Sequence, residues 1–155
     1  MNQPQKITEY NEILASLRSK VSHTVDVLKI YMLAIDLLFI LSHINWCGVY
    51  FFNDVTKEFY LGYYRDQPTN ISVIRLNQLS LKPPNDKVDL CNNLKAEGKI
   101  SPYEQASSEI KILIGQQHRT FGLIVISSKS ENIFDEIDEK YLSEVVETIS
   151  ERVQY

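Results

Sequence analysis

Glycine, cysteine and clustered positive charge are all scarce in this 155-residue sequence, and the scarcity of each removes a class of function. The five glycines form no Gly-x-Gly-x-x-Gly pattern, Walker loop or Gly-x-Ser-x-Gly pattern. Loops that cradle phosphates need residues that allow close backbone approach, so the sequence argues against a loop-bound nucleotide. Because His23, His43 and His118 have no metal-ligand spacing, we predict neither a metal nor a cofactor.

The distribution of charge argues against nucleic acid as a partner. The net charge is −4, and the sixteen Lys and Arg residues are scattered along the chain. The amino terminus lacks a basic segment followed by an apolar stretch and a cleavage site, so we expect a cytoplasmic protein. A composition of 44% apolar and 23% charged residues is typical of a globular chain, and we expect one domain over residues 1–155.

The two cysteines, Cys47 and Cys91, share neither a metal-ligand spacing nor a redox-motif spacing. In a reducing compartment a structural disulfide would be unusual. We therefore expect both residues to be thiols.

Residues 37–53 form a long run without Asp, Glu, Lys or Arg, which approaches the length of a membrane span. The run changes from helical spacing before Ser42 to a β-branched and aromatic stretch after Ile44, with Asn45 polar between them. A spanning helix of this composition would leave backbone groups unpaired in hydrocarbon, so we predict no membrane segment.

Helical periodicity appears at both ends of the chain. Residues 7–20 carry apolar side chains at helical spacing, and from Val25 a second stripe continues to Phe39. Asp135 is a plausible N-cap for a third helix, whose stripe reaches the carboxyl end.

The middle of the chain has the composition of strands. Residues 46–52 and 57–64 predict an antiparallel hairpin, and residues 109–114 and 121–126 predict a second one. Residues 71–76 indicate a third strand, residues 77–84 a loop that ends in Pro83-Pro84, and residues 86–97 a short helix ending at Gly98. Together these elements predict an α+β fold: a central antiparallel β-sheet with N-terminal helices and a C-terminal helix packed on one face.

The segment Asn45-Trp46-Cys47-Gly48-Val49-Tyr50 at the first strand resembles the free methionine-(R)-sulfoxide reductase group of GAF domain proteins. The match continues in the family's order through Leu61-Gly62, Pro68, Ser108-Glu109-Ile110, Phe121-Gly122-Leu123-Ile124 and Phe134-Asp135-Glu136-x-Asp138. It covers residues 10–149, of which residues 76–103 align poorly. The resemblance implies a GAF-like fold and a homodimer.

The chemistry of the resembled family needs cysteine, because a thiolate attacks the sulfoxide sulfur and a second cysteine resolves the resulting sulfenic acid. Pro102 stands at the position that matches the attacking cysteine, and Pro83 lies near the resolving one. The further family cysteine falls at Asn70 or Val73. The loop between the second and third of these positions is also shorter than in the family, which predicts a rebuilt pocket mouth instead of isolated point losses.

The resemblance places Trp46, Tyr50 and Glu109 in the walls of a substrate pocket. Val125 and Ser127 replace two family aspartates that resemble ligands of the substrate amine. These five residues are our predicted ligand-binding pocket. Two structural alternatives stay open: the aromatic residues as core, and Glu109 as a strand-edge or solvent-facing carboxylate.

Neither cysteine is predicted to rescue catalysis. Cys47 alternates with Trp46 and should point to the opposite face of the strand as a buried, inert thiol. Cys91 falls in the predicted short helix, four residues from both Lys87 and Lys95. If these lysines lowered the pKa of its thiol, Cys91 would be reactive. We favour the alternative, in which Cys91 is a surface or half-buried bystander.

Three hypotheses follow for function. The first is a non-catalytic GAF-type domain that binds a small molecule or a protein partner. The second is an active or altered-mechanism free methionine sulfoxide reductase, and the third is a plain dimerisation or interaction module whose pocket has closed.

Overall fold

The computed structural model describes residues 2–81, 86–116 and 118–153, which form three α-helices and one six-stranded sheet. In chain order the elements are α1 Gln3–Val21, α2 Val27–Leu38, β1 Trp46–Asn53, β2 Glu58–Arg65, β3 Val73–Arg75, a 3₁₀ turn Leu76–Gln78, β4 Val88–Cys91, β5 Ser108–Gln116, β6 Arg119–Ser128 and α3 Glu136–Arg152.

Short polar side chains start each α-helix by accepting hydrogen bonds from otherwise unpaired backbone N–H groups. The side chain of Asn2 accepts from the N–H of Gln5, and Asp26 caps α2. Asp135 caps α3 as predicted. Helix α1 begins earlier than the apolar stripe suggested, because Pro4 suits the first helical turn.

The strand order is β3-β2-β1-β6-β5-β4, and every neighbouring pair is antiparallel. Both predicted hairpins are confirmed as β1-β2 and β5-β6, and β1 pairs with β6 at the centre of the sheet. Gly122 is required in that central pair, because a Cβ there would lie 2.6 Å from the carbonyl oxygen of Tyr50.

Side-chain alternation along β1 divides the core into two layers. Cys47 and Val49 face the helices and pack with the buried stripes of α1, α2 and α3. Trp46 and Tyr50 face the other side and pack with Val125 and with residues from the chain between β4 and β5. The predicted α+β architecture, with all three helices on one face, is confirmed.

The predicted helix over residues 86–97 is wrong. Val88–Cys91 forms the edge strand β4, in which Val88 pairs with Ile112 and Cys91 with Glu109. The stabilising partner is β5, which lies far along the chain, so local spacing did not reveal it. Gly98 does end a turn, with a positive φ of 63°, but no helix precedes it.

The remaining middle segment agrees with the predictions in part. The third predicted strand is reduced to the three residues Val73–Arg75. Pro83 and Pro84 lie outside the described residues. The apolar run of residues 37–53 is divided between the end of α2, a turn and β1, and no helix in the described ranges is long and apolar enough to cross a membrane.

A buried polar cluster joins α1, the turn before β1, and α3. The carboxylate of Asp138 accepts hydrogen bonds from Lys6 Nζ at 2.5 Å and Tyr10 OH at 2.6 Å, and it contacts His43 Nε2 at 2.7 Å. All four side chains are buried, so this cluster holds the helical layer together by charge-assisted hydrogen bonds.

Candidate functional site

Trp46 and Tyr50 lie four residues apart on β1 and therefore point to the same face of the sheet, away from the helices. Both are fully buried. The indole Nε1–H of Trp46 donates to the Gln67 carbonyl at 2.9 Å, and the Tyr50 hydroxyl donates to the Ile71 carbonyl at 2.6 Å. The aromatic pair thus anchors residues 67–71, which we call the cover segment.

Glu109 lies beside this aromatic pair on β5 and is only 1% exposed. Its Oε2 accepts from Lys111 Nζ at 2.8 Å, and its Oε1 accepts from the Ser101 hydroxyl at 3.2 Å. Burial raises the pKa of Glu109, while the charge and hydrogen bond of Lys111 oppose that rise. The solvent-facing alternative for this carboxylate is therefore wrong.

Val125 and Ser127 lie on β6, on the same face as Trp46, and both are fully buried. Val125 belongs to the apolar cluster around the aromatic pair, and the Ser127 hydroxyl lies 3.3 Å from that of Ser101. The sheet therefore brings all five predicted pocket residues together on one face, where all five are buried. We call this buried surface the floor. Their role in binding a ligand stays a prediction.

An open cleft of about 400 Å³ lies above this floor, between the cover segment and residues 94–106. None of the five predicted residues lines it, whereas Pro102 does. Ser101 connects the cleft with the floor, because it lines the cleft and contacts both Glu109 and Ser127.

The cleft lining combines apolar side chains with polar and charged ones in similar numbers. Leu94, Tyr103 and Ala106 supply apolar surface that continues into the aromatic cluster below. Lys99 and Glu104 lie at the exposed rim.

Cys91 does not lie on a helix but on β4, where it is buried at 4% exposure. Its thiol donates to Glu97 Oε2 at 2.8 Å. Burial raises the pKa of the thiol, and the Glu97 carboxylate adds to the rise. The pKa is therefore not lowered in the way that a reactive Cys91 would require.

Cys47 is buried on the helix side of β1, as alternation predicts, and its thiol donates to the Ile35 carbonyl at 3.3 Å. Burial raises the pKa of this thiol well above its usual range. Neither cysteine is among the described side chains that line the cleft. Both groups are protonated near neutral pH and are poor nucleophiles.

The described residues contain no group of three or more His, Cys, Asp or Glu side chains placed to hold a metal ion. His43, considered above only for metal binding, contacts Asp138 instead. Ser101 and the cover segment were not predicted from the sequence. Carbonyl acceptors such as those of Gln67 and Ile71 carry no signal in residue identity, and Ser101 lies in the part of the chain that aligned poorly.

The fold is GAF-like. The structure superposes on the free methionine-R-sulfoxide reductase of Neisseria meningitidis in complex with its substrate, with a TM-score of 0.83, 18% identity, and coverage of 98% of this chain and 91% of that chain. A solved GAF domain gives a TM-score of 0.82 at 18% identity, covering 97% of this chain and 90% of its own. The GAF-like fold and the structural likeness to free methionine-R-sulfoxide reductases are confirmed.

Among individual proteins, the sequence is similar to protein YtsP of Bacillus subtilis strain 168. The two are 29% identical over 147 residues, which is 93% of this chain and 90% of YtsP. No family model matches the sequence.

Proposed function

We propose that this protein is a non-catalytic GAF-type domain, a degenerate relative of free methionine-(R)-sulfoxide reductase, that binds a small molecule in the cleft between the cover segment and residues 94–106. The observation that carries the proposal is the cleft of about 400 Å³ resting on a polar and aromatic floor. Its volume falls in the range of known ligand pockets, roughly 300–1,000 Å³.

The chemistry of the cleft supports binding without sulfoxide reduction. Pro102, which we align with the attacking cysteine of the resembled family, lines the cleft and offers no nucleophile. The thiols of Cys47 and Cys91 are buried, and hydrogen bonds to the Ile35 carbonyl and to Glu97 engage them. With Val125 and Ser127 in place of the family's aspartates, a zwitterionic amino acid would lose partners for its ammonium group.

The cleft offers a ligand apolar contact together with hydrogen bonds from the polar side chains of its lining. The Ser101 hydroxyl is the polar group at its base, and the charged side chains stand at its rim. Exposed rim charges are screened by water and contribute little affinity. We therefore expect a compact, polar but largely uncharged ligand.

The experiment is a thermal-unfolding screen of the protein against a broad metabolite panel. A ligand that binds only the folded state raises the melting temperature, and at 100 times its Kd the gain is about 2.7 kcal/mol. Asn70→Trp places a large ring in the cleft and should abolish the shift. Val55→Trp, on the exposed β1-β2 turn, is the matched control and should leave the shift unchanged.

Absence of stabilisation by every metabolite would favour a closed interaction module. The full burial of Trp46, Tyr50 and Val125 supports that alternative. In that case partner binding would be the whole function. We also propose, from the sequence, that the protein is a cytoplasmic homodimer.

An altered-mechanism reductase is the second candidate, because Cys91 belongs to the same apolar cluster as Trp46 and Tyr50. A thioredoxin-coupled assay with free methionine sulfoxide tests it. We expect no turnover from the wild type. Turnover that disappears in Cys91→Ser would overturn the non-catalytic proposal.

A further inference from the structure

A second cleft, of about 800 Å³, lies at the carboxyl end of β1, whereas the cover segment is bound to Trp46 at the beginning of that strand. Because β1 and β6 are antiparallel, the end of β1 meets the start of β6, and Phe51 pairs with Gly122. This register places the β1-β2 turn beside the β5-β6 turn. The second cleft and the cleft beside the cover segment have no described lining residue in common, so they are separate sites.

The walls of the second cleft are largely aromatic. Phe51, Phe52 and Phe121 line it, together with Leu76, whose N–H donates to the Lys57 carbonyl at 3.0 Å. The rings of Phe51 and Phe52 are half-buried, so each keeps part of its surface accessible. Aromatic side chains favour contact with other flat rings, either stacked or edge-on.

Two cations lie over these aromatic walls. The Lys57 ammonium is 5.9 Å from the centre of the Phe52 ring, and the Arg119 guanidinium carbon is 5.5 Å from the centre of the Phe121 ring. Both distances are within the range of cation–π attraction. Both side chains are also exposed, so they can meet an incoming anion.

Asp54 is the carboxylate among the described residues of this lining. It accepts a hydrogen bond from Lys57 Nζ at 2.6 Å, which uses one of the three donors of the ammonium. The hydrogen bond and charge of Lys57 lower the pKa of Asp54, and the charge of Arg119 adds to the lowering, so Asp54 lies close to both cations. Two cations and one carboxylate give the lining a net positive charge, on a chain whose net charge is −4.

We propose that the second cleft binds a small anion that carries a flat aromatic ring, either an aromatic carboxylate or an aromatic phosphate ester. The ring packs against the phenylalanine side chains, and Lys57 and Arg119 bind the anionic group. A guanidinium has its N–H donors in a planar fork that matches the oxygens of a carboxylate or a phosphate. This site goes beyond the proposed function, because the cleft beside the cover segment is expected to bind a largely uncharged ligand.

The first test titrates the ¹⁵N-labelled full chain with phenyl phosphate and with benzoate and follows the backbone amide signals by NMR. Saturable shifts confined to residues 51–57, Leu76 and residues 118–121 are expected from at least one of them, and the two Kd values show which anionic group is preferred. Phenol has the ring without the charge, and inorganic phosphate has the charge without the ring. Each should bind roughly fivefold more weakly than the better probe. Equal binding by either of them, or no shift with both aromatic anions, would overturn the proposal.

The second test uses charge variants whose expected effects have opposite signs. Lys57→Gln and Arg119→Gln should each weaken binding of the better probe by roughly two- to fivefold, as expected for exposed charge pairs. Asp54→Asn removes the competing carboxylate and should strengthen binding by a similar factor. Lys140→Gln is the matched control, because its ammonium lies 5.2 Å from the centre of the Tyr141 ring on α3, outside the cleft lining.

All four substituted side chains are exposed, and the amide spectrum of each variant shows directly whether it is folded. A loss of affinity in Lys140→Gln equal to that in Lys57→Gln would mean that the probe responds only to overall charge, and would overturn the proposal. Asn70→Trp, which fills the cleft beside the cover segment, should leave the titration unchanged. Loss of the titration in that variant would place the probe in the other cleft and would also overturn the second site.

Discussion

At the scale of single residues, the strongest constraints in this molecule are contacts between positions far apart in the sequence. Asp138 accepts from Lys6, Tyr10 and its neighbour Asp135, and it contacts His43. From the sequence, Asp138 was predicted only as part of the family motif, and His43 was excluded as a metal ligand without any other predicted role. Residue type shows that each group is polar, but not that a fold will bring them into one buried cluster.

Replacement of Asp138 by Asn is predicted to destabilise the protein by about 3 kcal/mol, because the buried Lys6 ammonium loses its nearest counter-charge and keeps only the more distant, partly exposed carboxylate of Asp135 at 3.3 Å. Chemical unfolding followed by circular dichroism measures the change. Asp54→Asn breaks the exposed ion pair with Lys57 and is the control, with little expected effect. Equal stabilities for the two variants would show that the buried cluster contributes nothing beyond an exposed ion pair.

At the scale of elements, periodicity predicted those segments whose own sequence carries the pattern. The helices and the two hairpins have regular apolar spacing and were found. Strand β4 was missed because it has four residues and depends on pairing with β5. The cover segment was missed as well, because two side-chain donors on β1 hold its backbone.

The cover segment yields a prediction at this scale. Tyr50→Phe removes the hydroxyl that donates to the Ile71 carbonyl, a loss of about 0.5–1.5 kcal/mol for one hydrogen bond. We expect roughly two- to tenfold faster amide hydrogen exchange in residues 67–72, with little change elsewhere. Tyr60→Phe removes an exposed hydroxyl bound to Glu58 and should leave exchange in the segment unaltered. Unchanged exchange in Tyr50→Phe would mean that other contacts hold the segment closed.

At the scale of the whole molecule, the sheet separates two layers with different electrostatics. The helical layer contains Asp138, and its hydrogen bonds to His43, Lys6 and Tyr10 outweigh the opposing effect of burial, so its pKa lies well below the usual range. The opposite layer contains Glu109, whose pKa burial raises. Sequence alone distinguished the layers by alternation along β1, but the sign of each pKa shift depends on burial and partners that only the fold supplies.

The two carboxylates therefore give the free energy of unfolding opposite dependences on pH. Asp138 binds its proton less tightly in the folded chain than in the unfolded one, so its stabilisation is present at neutral pH and is lost as pH falls below the ordinary range of aspartate. Glu109 binds its proton more tightly when folded, so its contribution is greatest in acid and is lost as pH rises through its raised pKa.

Unfolding curves from neutral pH down to about pH 3 for the wild type, Asp138→Asn and Glu109→Gln separate these effects. Asp138→Asn should be least stable relative to the wild type at neutral pH. The gap should narrow in acid, because the unfolded wild type binds a proton at Asp138 there while the folded wild type does not. Glu109→Gln lacks the titrating group, so its stability relative to the wild type should rise as the pH is raised toward neutral. The slopes of the two difference curves must have opposite signs. Slopes of the same sign would mean that the pKa of Glu109 is lowered, because Lys111 stabilises its carboxylate more than burial penalises it. The floor of the cleft would then hold a fixed negative charge, to which a cationic ligand could bind.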